Sequence, residues 1–273
     1  MEKWRLIVEQ EPRSGAENMA IDEAILQSVA NRTVPPTIRF YRWDPPCVTL
    51  GYFQQAEKEI NLGVINDLGF HLVRRLTGGR AVLHQHELTY SVAVPDDHPL
   101  IPSGVVESYK VLSQGILLGI KDLGLSGRLI SLHEQKNNQR EGSAACFDSP
   151  SWYELVIEGK KVVGSAQVRR YGGVLQHGSV LLNLDIPLLM QVFKFPSPRA
   201  KERVQRVLER KAAGLRDLGC AVTYQQCAEA LSGGFAASLG VELVLGRPTG
   251  SEVELTHSLL AVKYSQDHWN LKK

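Results

Sequence analysis

The chain has 273 residues, 43% of them apolar and 22% charged, with a net charge of +2. That length holds one large domain or two modest ones, in the composition range of ordinary soluble globular proteins. The charge is too small for a nucleic-acid binder, no apolar run reaches the ~20 residues of a membrane span, and the opening MEKWRLIVEQEP lacks the apolar core of an export signal.

In chain order, a strand is expected around Trp4–Val8, then a helix through NMAIDEAIL, with Asn18 as its cap and Ile21, Ala24, Ile25 and Val29 on one face. IRFYRW and CVTLGYF read as strands around Asp44-Pro45-Pro46, and a short helix near Asn61–Leu68 stops at Gly69. Phe70–Arg75 and Leu88–Val94 are further strands, on either side of Gly78-Gly79. Val105, Tyr109, Leu112, Ile116 and Ile120 mark an amphipathic helix ending at Gly124. A long polar stretch, SLHEQKNNQREGSAA, leads to Cys146, and long loops are often functional. Ser151–Ile157, a turn at Glu158-Gly159 and a strand resuming at Lys161 make a β-hairpin. Another strand lies within Gly173–Asn183. A basic helix runs from Arg199, and the last sixty or so residues read as helices with one or two short strands. Strands interspersed with helices predict an α/β or α+β sheet whose strand order this pattern leaves open.

Three arginines crowd the Gly-Gly pair in RRLTGGRAVLH. Two readings are open: an anion clamp with close backbone approach, or a hairpin turn with solvated arginines. The string is neither GxxxxGK[ST] nor GxGxxG. His84 and His86 would meet a metal from one strand face, but no carboxylate–histidine set completes a site, and no metal is expected. Ser165 and Ser179 lie in no GxSxG elbow. Lys201, Arg203, Arg206, Arg210 and Lys211 read first as a solvated helix face, with docking of an acidic partner as the alternative.

Cys47, Cys146, Cys220 and Cys227 include no CxxC pair and are too few for a disulfide framework, so free thiols in a reducing cytoplasm are expected. Turn residues FDSP leave Cys146 on a loop. Lowering a thiol pKa from about 8.5 to about 7 needs roughly 2 kcal/mol, and one ammonium about 4 Å away supplies on the order of 4 kcal/mol at a surface-like dielectric. One lysine beyond the hairpin turn would suffice. Yet if residues 146–156 ran straight, Cys146 and Lys161 would stand roughly 30 Å apart, so the loop must fold back for them to meet.

Together, RRLTGGRAVLHQHELTYSV, CFDSPSWYELVIEGKKVVGSAQVR and LQHGSVLL resemble the octanoyltransferases of lipoate assembly, over nearly the whole chain. The RRxxGG-like and K-V-x-G-S-A-like elements are shared with lipoate and biotin ligases, and the cysteine of CFDSPSWYEL is the more specific sign. The resemblance implies Cys146 as acyl-thioester nucleophile and Lys161 as the lysine that lowers its pKa, with Lys160 as a solvent-facing neighbour. It implies substrate-binding roles for Arg75, Gly78, Gly79, Arg80 and His84. The implied fold is the biotin/lipoate-protein ligase catalytic fold, a mixed β-sheet packed with helices. It would form a single catalytic domain over 1–273, with a core of about 33–248 and a C-terminal helical portion of about 199–273. That portion is too short for the accessory domain of long ATP-dependent ligases. The implied donor is octanoyl-acyl carrier protein, and the acceptors are lipoyl domains such as glycine cleavage H protein, with no cofactor, nucleic acid or membrane. An octanoyl amidotransferase, an ATP-dependent lipoate ligase and a non-catalytic binder of acylated carriers are the alternatives.

Overall fold

The computed structural model describes residues 1–131 and 153–272. Strand β1 (Glu2–Val8) opens the chain, followed by α1 (Gly15–Ala30). Asn18 does not cap this helix. Ser14 does: its Oγ accepts from the Glu17 N–H, and Glu17 accepts in return from the Ser14 N–H. The exchange satisfies donors that a helix start leaves bare. Asn18, buried inside the first turn, instead ties segments together: Nδ2 donates to the Arg42 carbonyl at 2.9 Å, and Oδ1 accepts from Arg39 at 2.8 Å.

The chain continues through β2 (Thr37–Tyr41), β3 (Cys47–Leu50), α2 (Ala56–Glu59), α3 (Leu62–Asp67), β4 (His71–Arg74), β5 (Val82–His84) and β6 (Glu87–Pro95). After α4 (Val105–Asp122) comes β7 (Gly127–Ser131), a strand that the sequence pattern did not mark. Next are β8 (Tyr153–Ile157), β9 (Lys160–Arg170) and β10 (Gly173–Leu181). The remainder is α5 (Ile186–Val192), α6 (Pro198–Lys211), α7 (Tyr224–Leu239), β11 (Val241–Leu245), α8 (Gly250–Leu259) and α9 (Asp267–Asn270).

Eight strands form one mixed sheet in the order β11-β1-β2-β6-β10-β9-β8-β7, and β4-β3-β5 form a second. In the large sheet β1 runs parallel to β2 and β11, and the other pairs are antiparallel. Strand β6 is buried throughout because both its faces are covered. Its Leu88, Tyr90, Val92 and Val94 join Phe40, Leu112, Ile116, Leu231 and Phe235 in the core beneath α4 and α7. The alternate residues face α1, where Ala93 packs with Ile21 and Ile25 and Ser91 donates to Asp22 at 2.9 Å.

A charged knot is buried on the α1 side. Arg39 has no exposed surface; it donates to Asp22 at 2.9 Å and to Glu9 at 3.2 Å, and lies 4.0 Å over the Tyr41 ring. Tyr41 also donates to Asp22, at 2.8 Å. Burial alone would raise the Asp22 pKa, but the hydrogen bond from His177 and the charge of Arg39 outweigh it and hold the carboxyl below its ordinary value.

Candidate active site

Between the small sheet and one face of the large sheet lies a cavity of about 780 Å³. Thr49, Val82 and His84 line it from the small sheet, and Tyr41, Thr89 and Ser179 from the large one. Met19, Trp43, Val105 and Tyr109 add apolar wall from α1, the β2–β3 connection and α4. All five residues expected to bind substrate, Arg75, Gly78, Gly79, Arg80 and His84, line this one space.

Neither reading of the Gly-Gly stretch describes what Arg75 does. It is 4% exposed, and all five of its N–H groups point inward. Nε donates to Thr77 at 3.0 Å, Nη1 to the Thr49 carbonyl and hydroxyl at 3.1 Å, and Nη2 to the carbonyls of Gly78 and Arg80 at 2.8 and 2.7 Å. The guanidinium is thus the internal brace of the loop. Gly79 takes φ of +89°, and a Cβ on Gly51 would stand 2.0 Å from the Gly79 carbonyl, so these two glycines let loop and strand end meet. Arg74 is equally inward, donating to the Gly51 and Gln54 carbonyls and, across the fold, to those of Trp269 and Asn270. Arg80 is exposed at the rim, 3.6 Å from Glu59.

His84 is buried and stacked on Trp43 with ring centroids 4.1 Å apart. Its Nδ1 lies 2.6 Å from Glu87, which fixes the proton there, and its Nε2 lies 2.8 Å from the Thr49 hydroxyl. Glu87 also accepts from Ser179 at 2.7 Å and from Thr89. His86 is exposed and outside the strand, so the HxH pair does not share a face. Among the described residues no three His, Cys, Asp or Glu side chains gather as a metal site. A second histidine, His177, lines the cavity between Thr77 at 2.7 Å and Asp22 at 3.4 Å.

The hairpin turn at Glu158-Gly159 has φ of +51° and +77°, as a two-residue turn between twisted strands requires. Lys161 is 2% exposed while Lys160 is half-buried. A bulge follows, with Val156 opposite Lys161 but Leu155 opposite Val163, which leaves Val162 and Val163 both buried. Lys161 Nζ does not stay level with Val156. It reaches Glu154 Oε1 at 2.8 Å, two residues or about 7 Å nearer the start of β8. Counting on in the same register brings that start level with Ser165, a cavity-lining residue. Lys161 itself is not in the lining, and Cys146 lies outside the described residues. Of the other thiols, Cys47 and Cys227 are buried and free; burial raises the pKa of both, that of Cys227 to about 12.

Sequence reasoning missed Trp43, Thr49, Glu87, Glu154 and His177. For the four polar ones the one available signal was a polar residue inside an otherwise apolar strand, as with Glu87 and Thr89 in ELTYSVAV; Trp43, between two strands, carried none.

Residues 14–236 match the family profile of the lipoyl protein ligase A/B catalytic domain. The chain is 50% identical to Octanoyltransferase LipM of Brevibacillus brevis, over 100% of both chains. It is 44% identical to that of Bacillus subtilis, over 100% of this chain and 99% of the other. Among solved structures, it is similar to the bi-partite lipoate protein ligase of Thermoplasma acidophilum, solved with its E2 lipoyl domain. There the TM-score is 0.82 at 27% identity, covering 99% of this chain and 97% of that one. A lipoate-protein ligase A bound with ATP gives a TM-score of 0.79 at 29% identity, with 99% of each chain covered. The profile match over most of the chain and these full-length identities decide it: the chain belongs to the lipoyl protein ligase A/B catalytic-domain family and, within it, to the LipM octanoyltransferases.

Proposed function

We propose that the protein moves an octanoyl group from octanoyl-acyl carrier protein to a lysine of lipoyl domains, such as that of glycine cleavage H protein, through a thioester on Cys146. The observation that carries this reading is a partly apolar cavity lying level, in strand register, with the start of β8, seven residues from Cys146. Met19, Tyr41, Trp43, Val82, Val105 and Tyr109 supply apolar wall, and burying the seven carbons beyond the carbonyl gives roughly 5 kcal/mol at most, enough to position the chain. The names of the full-length relatives support octanoyl as the group and a protein as the acceptor.

The Cys146 thiolate attacks the thioester carbonyl; a new C–S bond forms and the phosphopantetheine thiolate leaves. The neutral ε-amine of the acceptor lysine then attacks, an amide forms, a proton is released and the Cys146 thiolate is regenerated. Thioester to amide is downhill, so neither ATP nor metal is required. Lys161 is the cation that holds Cys146 as thiolate, and its reach toward Glu154 carries the ammonium toward the Cys146 end of the hairpin. Gly78, Gly79 and Arg80 edge the acyl site, with Arg75 and His84 holding its walls. The whole chain acts as one catalytic unit, since β11 pairs with β1 and Arg74 binds carbonyls at 269–272. The reading sets the reaction in a reducing cytoplasm, and no described helix is long and apolar enough to cross a membrane.

Intact mass tests it. Mixed with octanoyl-acyl carrier protein alone, without ATP, the protein should gain one octanoyl group, released by hydroxylamine and mapped to the peptide holding Cys146. Cys146→Ala should lose transfer by at least about a thousand-fold. Labelling at Cys220 would overturn the site, and adenylate formation from octanoate and ATP would restore the ligase reading. Faster labelling from octanoylated H protein would mark an amidotransferase.

A further inference from the structure

The transfer described above releases a proton as the amide forms. Two buried histidines line the cavity, each backed at Nδ1 by a carboxylate and met at Nε2 by a threonine hydroxyl. The two sets differ. Asp22, behind His177, already has a cation: Arg39 donates to it at 2.9 Å, and Tyr41 and Ser91 donate as well. Glu87, behind His84, has no Lys or Arg partner among the described residues. Its Oε1 accepts from His84, Thr89 and Ser179, while none of the described residues donates to its buried Oε2. A proton added to His84 therefore creates the counter-ion of a buried carboxylate, whereas one added to His177 meets an anion already neutralised. Access differs too. Thr77, the partner of His177, does not line the cavity, whereas Thr49, the partner of His84, does.

Arg75 gives this set its direction. A guanidinium only donates, and its Nη1 donates to Thr49 Oγ1 at 3.1 Å. The Thr49 proton is left to point at His84 Nε2, 2.8 Å away, while the ring keeps its own proton at Nδ1 against Glu87. Hydroxyl, imidazole and carboxylate in this order are the arrangement of an oriented base. The set also lies near the hairpin. Ser179, which donates to Glu87 at 2.7 Å, pairs with Gly164 of β9, and the register continuing from Leu155 and Val163 puts Gly164 opposite Glu154, the partner of Lys161. Ser179 and Glu154 thus stand about 10 Å apart, two strand spacings, with no side chain between them, which leaves room for a thioester and an attacking amine. We propose that Thr49 and His84 take up the proton shed by the acceptor lysine, an inference that rests on the octanoyl-transfer reading above. As the amine nitrogen bonds to the thioester carbon, its proton passes to Thr49 Oγ1 and the Thr49 hydroxyl proton passes to His84 Nε2. The C–S bond then breaks, Cys146 leaves as thiolate, and the imidazolium stays paired with Glu87 until it gives a proton to water.

The test separates the two half-reactions by intact mass. Each protein is first loaded from octanoyl-acyl carrier protein, then mixed with glycine cleavage H protein, and both rates are recorded. In His84→Gln, loading should fall by no more than about three-fold, while octanoyl-lysine formation at pH 7 falls on the order of a hundred-fold. That deficit should shrink as pH rises to 9.5, where hydroxide replaces the missing base. Thr49→Val should repeat the loss, and Thr49→Ser, which restores the hydroxyl, should stay within about three-fold of wild type. Loading and transfer falling together, a transfer rate that holds, a deficit constant with pH, or Thr49→Ser as slow as Thr49→Val would each overturn the proposal. If His84→Gln unfolds, the two Thr49 variants are read by the same criteria. A wild type that never loads would sink the transfer reading and the proton path with it, whereas a loaded wild type matched by its variants would sink the proton path alone.

Discussion

Around the cavity, Arg39, Arg74 and Arg75 are almost fully buried and aim their N–H groups at carboxylates and backbone carbonyls, whereas along α6 Arg199, Arg206 and Arg210 stand in solvent with no ion pair among the described residues. The side chain is the same and its consequences are opposite. A buried guanidinium without partners would carry a large desolvation penalty, so each buried arginine organises the segments around it. An exposed one is hydrated already and contributes little to the fold.

The largest expected effect lies on the buried side. Arg39→Ala leaves Asp22 and Glu9 in the interior without their counter-ion, and about 3–5 kcal/mol should be lost in chemical denaturation. A loss below about 1 kcal/mol would break the contrast between the two arginine sets.

An intermediate effect concerns the histidine tied to the same knot. Burial disfavours the His177 imidazolium more than Asp22 favours it, so the group titrates below its ordinary value of 6.5. As pH falls through about 6.5, the unfolded chain takes up a proton that the folded chain refuses. Stability present above that pH is therefore lost downward until the folded pKa is reached, at no more than about 1.4 kcal/mol per pH unit. His177→Gln should flatten this part of the slope. Denaturation at pH 7.0, 6.0 and 5.0 checks it, and equal slopes in wild type and variant would place the titrating group elsewhere.

The smallest effect belongs to the exposed side. Arg206→Ala should move folding stability by no more than about 0.5 kcal/mol, within the scatter of surface substitutions. A larger loss in thermal unfolding would break the contrast between the buried and the exposed arginines.

Much of the local structure was legible. Glu158-Gly159 announced its turn, Gly69 and Gly124 followed the helices they were expected to stop, and the family resemblance pointed to Lys161 as the inward lysine of its pair. Asn18 was misread because Ser14, four residues earlier, completes a capping pair with Glu17, and a cap depends on both. The roles of Arg75 and Glu154 were not legible. Nothing local says that Arg75 will fold back on Gly78 and Arg80, nor that a lysine opposite Val156 will reach Glu154.

The sequence by itself determined most of the periodic elements and the turns, because those signals reside in residues a few positions apart, and the resemblance carried by RRLTGGRAVLH and CFDSPSWYEL gave the kind of enzyme to expect. The tertiary structure alone decided which charges are buried. Arg74 meets Asn270 across 196 positions, and His177 meets Asp22 across 155. Such partners are set by which strands lie side by side in two sheets, and that order follows from covering both faces of β6 at once, a condition no short stretch of sequence contains.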